Sequence, residues 1–147
     1  MYKVILDTNY IVGLIDEKDI HHKTALLIEN RLIKINAQFV YLDCVINEVV
    51  NVLIKRANEK KYAQKINNLL EKLHLRCPKE DITWIYPDIE NYYELIIQMV
   101  KKSEGSLNFH DSLIVLIANE FEISHIVSFD KDFDKTRLKR IKNARDI

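Results

Sequence analysis

Residues 108–134, NFHDSLIVLIANEFEISHIVSFDKDFD, set one acid at the head of an apolar run and further acids just beyond a second run. Asp111 comes shortly before Leu113-Ile114-Val115-Leu116-Ile117-Ala118. A helix that apolar on nearly all sides belongs in a core rather than on a surface. A carboxylate carried into such surroundings needs a cation, hydrogen-bond donors or the mouth of a cleft, because an unpaired buried charge costs several kcal/mol or neutralises itself. His125 to Phe129 then reads as a strand, so Asp130 stands just past a strand end, with Asp132 and Asp134 behind it.

The chain opens on a similar junction of strand, acid and helix. Tyr2 to Leu6 reads as a buried strand, and Asp7-Thr8-Asn9 offers three good N-cap types ahead of the apolar Tyr10 to Ile15 segment. From Asp19 to Ile35 the residues Ala25, Leu26, Ile28, Leu32, Ile33 and Ile35 recur at roughly helical spacing, which predicts an amphipathic helix. Gln38 to Leu42 reads as a second strand and Asp43 as an N-cap. Val45 to Ala57 follows as a helix with Val45, Val49, Val52 and Leu53 inward and Glu48 in its early turns. Lys60 to Leu75 continues helical, with Ala63, Ile66, Leu69, Leu70 and Leu73 along one face, as a hairpin with the preceding segment or as one bent helix, until Pro78 ends it. Ile82 to Tyr86 is strand-like. Pro87-Asp88 opens another helix, whose apolar side carries Tyr92, Tyr93, Leu95, Ile96, Met99 and Val100. Lys101 to Gly105 breaks it, Asn108 to Glu122 forms the next helix, and Arg137 to Arg145 holds a last short strand or helix.

Strands alternating with helices predict an α/β fold with a mainly parallel sheet covered on both faces. Ligands of such sheets collect beyond the carboxyl ends of the strands, where the strand order switches. Asp7 and Asp130 fall on that edge, and Glu48 and Asp111 can reach it from early helical turns.

A chain of 147 residues fits one domain, residues 1–147, and is long enough to build a core without disulfides or metal staples. Only two glycines and two prolines argue for long helices and against an all-β sandwich. Cys44 and Cys77 form no CxxC or Cys/His cluster, which argues against zinc and suits a reducing cytosol. The apolar start is broken by Asp7 and lacks the layout of a membrane span or signal peptide, so a cytoplasmic protein is expected. Lys plus Arg and Asp plus Glu number 22 each, so a polyanion must be met by local patches rather than a global field.

Four carboxylates at one site repel: two charges about 4 Å apart cost on the order of 4 kcal/mol at an effective dielectric near 20. Such a cluster makes sense only with cations. All-oxygen ligation suits Mg²⁺ or Mn²⁺ better than zinc, and these ions serve phosphoryl chemistry by polarising a phosphate oxygen and activating water. Asn9 adds a candidate oxygen ligand and Ser128 a hydroxyl to orient a water or carboxylate. In-line phosphodiester hydrolysis without a covalent intermediate is the matching reaction.

The chain resembles the PIN domain family, and within it the VapC-type ribonuclease toxins of toxin-antitoxin pairs. The resemblance rests on LDTNYIVGLID at the start, INEVVNVL with Glu48, LNFHDSLIVLIANEFEI with Asp111 and HIVSFDKDF with Asp130, in that order and over nearly the whole chain. It implies a doubly wound α/β fold and a Mg²⁺- or Mn²⁺-dependent endoribonuclease, with Asp7, Glu48, Asp111 and Asp130 as the metal-binding acids. It also implies an RNA substrate, a small antitoxin partner and a homodimer. Asn9 matches a frequent polar position beside the first acid. Ser128 stands where the family usually has Thr, which keeps the hydroxyl, and Asp132 is a second acid in the last motif.

Each residue also has a plainer reading. Asp7 serves as an N-cap, Glu48 as a solvated helix residue, Asp111 as a charge favoured by the helix dipole, and Asp130, Asp132 and Asp134 as an acidic turn. The His21-His22 pair reads as surface, and His74, His110 and His125 have no partners at a recognisable spacing. Lys55-Arg56, Lys60-Lys61, Lys101-Lys102 and the Arg137 to Arg145 tail read as solvated faces, one of which can line an RNA path. Tyr10, Trp84, Tyr92 and Tyr93 read as core aromatics rather than base-stacking platforms. The competing functions are an RNA maturation or decay nuclease, a non-catalytic scaffold binding RNA or protein, and, last, a phosphatase or receiver-like protein, for which Asp7-Thr8-Asn9 lacks the Asp-x-Asp of the haloacid dehalogenase type.

Overall fold

Val4, Ile5 and Leu6 are all buried, although successive strand residues point to opposite faces, so the first strand is covered on both sides. The computed structural model describes residues 2–59 and 65–147. Among these residues, five strands, β1 (Lys3–Leu6), β2 (Gln38–Leu42), β3 (Ile82–Thr83), β4 (His125–Val127) and β5 (Lys139–Ile141), form one sheet in the order β3-β2-β1-β4-β5. Every neighbouring pair is parallel, and the central register matches Val4 with Phe39 on one side and with His125 on the other. The chain builds outward from β1 to one edge and then returns to the other edge through β4. The switch in strand order therefore lies between β1 and β4, and Asp7 and Asp130 follow those two strands.

Among the described residues, six helices flank the sheet: α1 (Thr8–Ile15), α2 (His22–Lys34), α3 (Asp43–Glu59), α4 (Ile66–Arg76), α5 (Ile89–Lys102) and α6 (Phe109–Glu120). α1 packs against α2, α3 and α4, while α5 and α6 pack against each other. Ser112, Leu113, Ile114, Val115, Ile117 and Ala118 of α6 are all buried, as its apolar run predicts. The Lys60-Lys61 pair, Ala63 and the expected helix start at position 60 lie outside the described residues.

Two expected strands are shorter than their apolar runs, for one reason. Ile82 to Tyr86 keeps strand pairing only over Ile82–Thr83, because the backbone N–H groups of Ile85 and Tyr86 donate to Asp43 Oδ2 at 2.9 and 2.8 Å and a 3₁₀ turn follows at Tyr86–Asp88. His125 to Phe129 stops at Val127, and the Phe129 N–H donates to Asn9 Oδ1 at 2.9 Å. On α5 only Ile96 is fully buried, and Tyr92, Met99 and Val100 pack partly on the core. Tyr93 and Leu95 lie off that face at 52% and 49% exposure, and Trp84 is 54% exposed, which corrects their assignment to the core. Tyr10 is fully buried as expected.

Three helices end in the same way. After α6, Glu122 takes φ 54° while its N–H donates to Asn119 and the Ile123 N–H to Ala118, the Schellman arrangement. Asn36 and Glu104 occupy the same place after α2 and α5. A left-handed residue with a Cβ costs about 1–2 kcal/mol, and glycine gives back roughly 0.5–1 kcal/mol of that through its unfolded-state entropy. Glu122→Gly is therefore expected to raise stability by about 0.5–1 kcal/mol, read as a higher urea midpoint at unchanged slope.

Candidate active site

Asp7 is placed by the end of β1. Its N–H donates to Val127 O at 3.0 Å and its backbone is extended, so the carboxylate turns back to cap α1, with Oδ1 accepting from Thr8 N at 2.8 Å. Oδ2 accepts from Ser128 Oγ at 2.5 Å. Ser128 is fully buried, and its hydroxyl also accepts from Asp130 N at 2.9 Å and Asn9 Nδ2 at 3.3 Å. Asn9 thus holds the segment after β4 with both ends of its amide. This hydroxyl and amide tie the two strand ends of the switch point together.

Asp130 accepts from Asp132 N at 2.8 Å and caps the 3₁₀ turn Lys131–Lys135. Asp111 is half-buried in the first turn of α6. It forms a capping box with Asn108, accepting from Asn108 N at 3.3 Å while Asp111 N donates to Asn108 Oδ1 at 2.9 Å. Of the possible solutions for an acid beside an apolar helix, the fold uses hydrogen bonding and a cleft. Glu48 is the most open of the four acids: its Oε2 accepts from Thr8 Oγ1 at 2.7 Å and from His110 Nδ1 at 2.6 Å.

Asp7, Glu48, Asp111 and Asp130 line one cleft of about 290 Å³ together with Thr8, Asn9, Val12, Val52, Arg56 and Asn108. Asp132 is not part of that lining; its carboxylate pairs with Lys135 at 2.8 Å. Asp134 pairs with Arg140 through two bonds. Among the described residues, no three His, Cys, Asp or Glu side chains are already drawn together as a metal-ligand set. Each of the four acids instead accepts a hydrogen bond from a protein donor.

The electrostatics record a shortage of positive charge. Burial pushes the Asp7 carboxyl up to about 6, against the hydrogen bonds from Ser128 and Thr8 and the pull of His110, and Asp111 adds to the rise. Asp111 is also raised, by burial first and then by the charges of Asp130 and Glu48, against the Asn108 hydrogen bond. Glu48 is lowered, because the His110 hydrogen bond outweighs its partial burial and Thr8 adds to it. Burial works against the His110 imidazolium, yet the Cys44 side chain and Glu48 outweigh it and raise its pKa. Arg56, on the cleft wall, is spoken for by Asp19 at 2.6 Å and Asp16 at 3.3 Å.

Thr8, Arg56 and Asn108 are the cleft's less obvious members, and His110 stands behind it as the partner of Glu48. Glu48, Val52 and Arg56 follow at i, i+4 and i+8, a face of α3 that helical periodicity reveals. Nothing local marks His110 as a partner of Glu48, which lies far back in the chain. The His21-His22 pair is half-buried rather than plain surface: the His21 ring stacks on Phe129 at 4.0 Å and His22 Nδ1 lies 2.7 Å from Gly13 O.

No match was found among curated protein sequences. Among solved structures, the chain is similar to Mycobacterium tuberculosis VapC20, a toxin that cleaves the sarcin-ricin loop, with a TM-score of 0.66 at 18% identity over 90% of this chain and 93% of that one. At that identity the likeness concerns the fold. The PIN domain family model matches residues 4–139, from β1 into β5 and across all four acids of the cleft. The chain belongs to the PIN domain family.

Proposed function

We propose that the protein is a metal-dependent endoribonuclease of the VapC type, the toxin of a toxin-antitoxin pair. The observation that carries this reading is the meeting of Asp7, Glu48, Asp111 and Asp130 in one cleft, at the strand-order switch of a PIN domain. The fold likeness to a toxin that cleaves the sarcin-ricin loop adds support for RNA as the substrate.

The donor set fits a hard divalent cation. All four side chains offer carboxylate oxygens, Asn9 adds an amide oxygen, and Asp7 and Asp111 bind protons more tightly than usual because their charges are buried and mutually repelling. Mg²⁺ or Mn²⁺ is the natural match. When bound, such an ion polarises a phosphate oxygen and activates water. The chain does the rest: Ser128 and Thr8 N hold Asp7 in one orientation, and Asn9 fixes the Phe129–Asp130 turn. Asp132, tied to Lys135, takes no part in ligation.

Residues 1–147 are read as one nuclease domain in the cytoplasm, paired with a second copy and with a small antitoxin. Among the described residues no helix is long and apolar enough to cross a membrane. Purified protein is expected to cleave RNA containing unpaired segments in Mg²⁺ or Mn²⁺ and to stop in EDTA. The rival reading, a scaffold without catalysis, draws support from the protein donors that already occupy each acid. Intact RNA together with metal-independent RNA binding would select it. A nuclease of RNA maturation or decay shares the chemistry, and the test between it and a toxin is growth arrest on expression, relieved by the product of a neighbouring short reading frame.

A further inference from the structure

The four acids differ in how rigidly the fold holds them. Asp7, Asp111 and Asp130 each cap a helix or 3₁₀ turn through their own neighbours. Glu48 has no such local anchor: it projects from α3 with 46% of its side chain exposed. A long side chain in that position samples several rotamers, and a ligand that wanders lowers metal affinity.

Two distant donors remove that freedom. Thr8 Oγ1 and His110 Nδ1 approach the same carboxylate oxygen, Oε2, at 2.7 and 2.6 Å. Thr8 is the residue after Asp7, and His110 is the residue before Asp111. Glu48 is therefore fastened to the immediate neighbours of two other acids, which sets its distance from both. Because both bonds fall on Oε2, Oε1 is the oxygen left to be presented. The other nitrogen of the His110 ring, Nε2, is buried without a hydrogen-bond partner. Buried polar atoms left unpaired are rare in native proteins and call for a reason such as a functional site.

We propose that His110 is a positioning residue for Glu48: its Nδ1–H, with the Thr8 hydroxyl, clamps Oε2 and presents Oε1 to the divalent cation of the cleft. The proposal rests on the metal-dependent reading given above. Partners of this kind around metal ligands are worth about 10–100-fold in affinity. His110 is thus distinguished from a strut that merely holds α6 against α3, which affects stability but not the aim of Glu48.

The test is Mn²⁺ affinity of the full chain, measured by titration calorimetry or by the free-ion EPR signal, with unfolding in EDTA as a control. His110→Leu is expected to weaken Mn²⁺ binding by about 10–100-fold, and His110→Asn, whose amide nitrogen falls near Nδ1, to restore most of it. Unchanged affinity in His110→Leu, with wild type binding normally, overturns the clamp and leaves the metal reading intact. Absence of Mn²⁺ binding by wild type overturns both. If His110→Leu does not fold, His110→Asn and His110→Gln decide, because the Gln amide nitrogen falls near Nε2 instead. Retention in Asn with loss in Gln supports the clamp, and equal affinities overturn it.

Discussion

Asp7→Asn is expected to abolish RNA cleavage and to stabilise the metal-free protein. The first effect follows from its place in the cleft: even outer partners of a metal ligand cost about 10–100-fold, so loss of a ligand carboxylate should cost at least about 100-fold in rate at fixed metal. The second follows from burial. Asp7 is only 4% exposed, and its carboxyl titrates near 6 rather than at 3.8 because the ionised form is desolvated beside Asp111. Ionising it in the folded chain thus costs roughly 3 kcal/mol more than in the unfolded chain. That cost is absent below the unfolded value of 3.8, grows as pH rises through about 6, and is complete above it. Wild type should lose metal-free stability across this window, whereas Asp7→Asn should not. The variant should therefore be nearly neutral at low pH and more stable by about 1–3 kcal/mol above pH 7, the lower figure allowing for a weaker bond to Ser128. Divalent metal offsets most or all of that difference, since at a hundredfold excess over Kd it stabilises wild type by about 2.7 kcal/mol and leaves the variant unmoved. Denaturation curves in EDTA and in Mn²⁺ across that pH range check it. A variant less stable than wild type in EDTA above pH 7 would show that the N-cap outweighs the buried charge.

Much of the frame was legible because it rests on local patterns. The apolar run at Val4-Ile5-Leu6 and the acid after it report a buried strand feeding a capped helix, and both are found. The two runs that misled, Ile82 to Tyr86 and His125 to Phe129, were apolar enough to be strands throughout. They stop early because side chains from elsewhere, Asp43 and Asn9, take their N–H groups, and apolar periodicity carries no record of such acceptors. Tyr93, Leu95 and Trp84 misled in the opposite direction: their hydrophobicity matched a core, yet the fold leaves all three exposed. At the site, the four acids were readable as an ordered set and do share a cleft. The bond between His110 and Glu48 was not, since it joins positions with no periodic relation.

Asp43 sharpens the contrast between a buried acid awaiting a cation and one that the fold has already satisfied. It is as buried as Asp7, at 4% exposure. Its Oδ1 accepts from Cys44 N at 2.8 Å, and its Oδ2 accepts from Ile85 N at 2.9 Å and Tyr86 N at 2.8 Å. Three backbone donors converge on it, and it does not line the cleft. Asp43→Ala leaves those donors unpaired, two of them in the turn that ends β3, and removes the anchor between that turn and the start of α3. Each orphaned buried donor costs about 1–3 kcal/mol, so with partial access of water to Tyr86 the total should be about 3–5 kcal/mol. A loss of that size removes a large share of the stability of a domain this small. Asp43→Asn keeps one acceptor oxygen but turns an amide donor toward backbone donors, and should recover less than half of the loss. The measurement is the urea midpoint in EDTA, where Asp43→Ala and Asp7→Asn are expected to move in opposite directions from the same starting burial. If Asp43→Ala is instead as stable as wild type and impaired only in metal binding, Asp43 belongs to the metal site and the separation between the two acids fails.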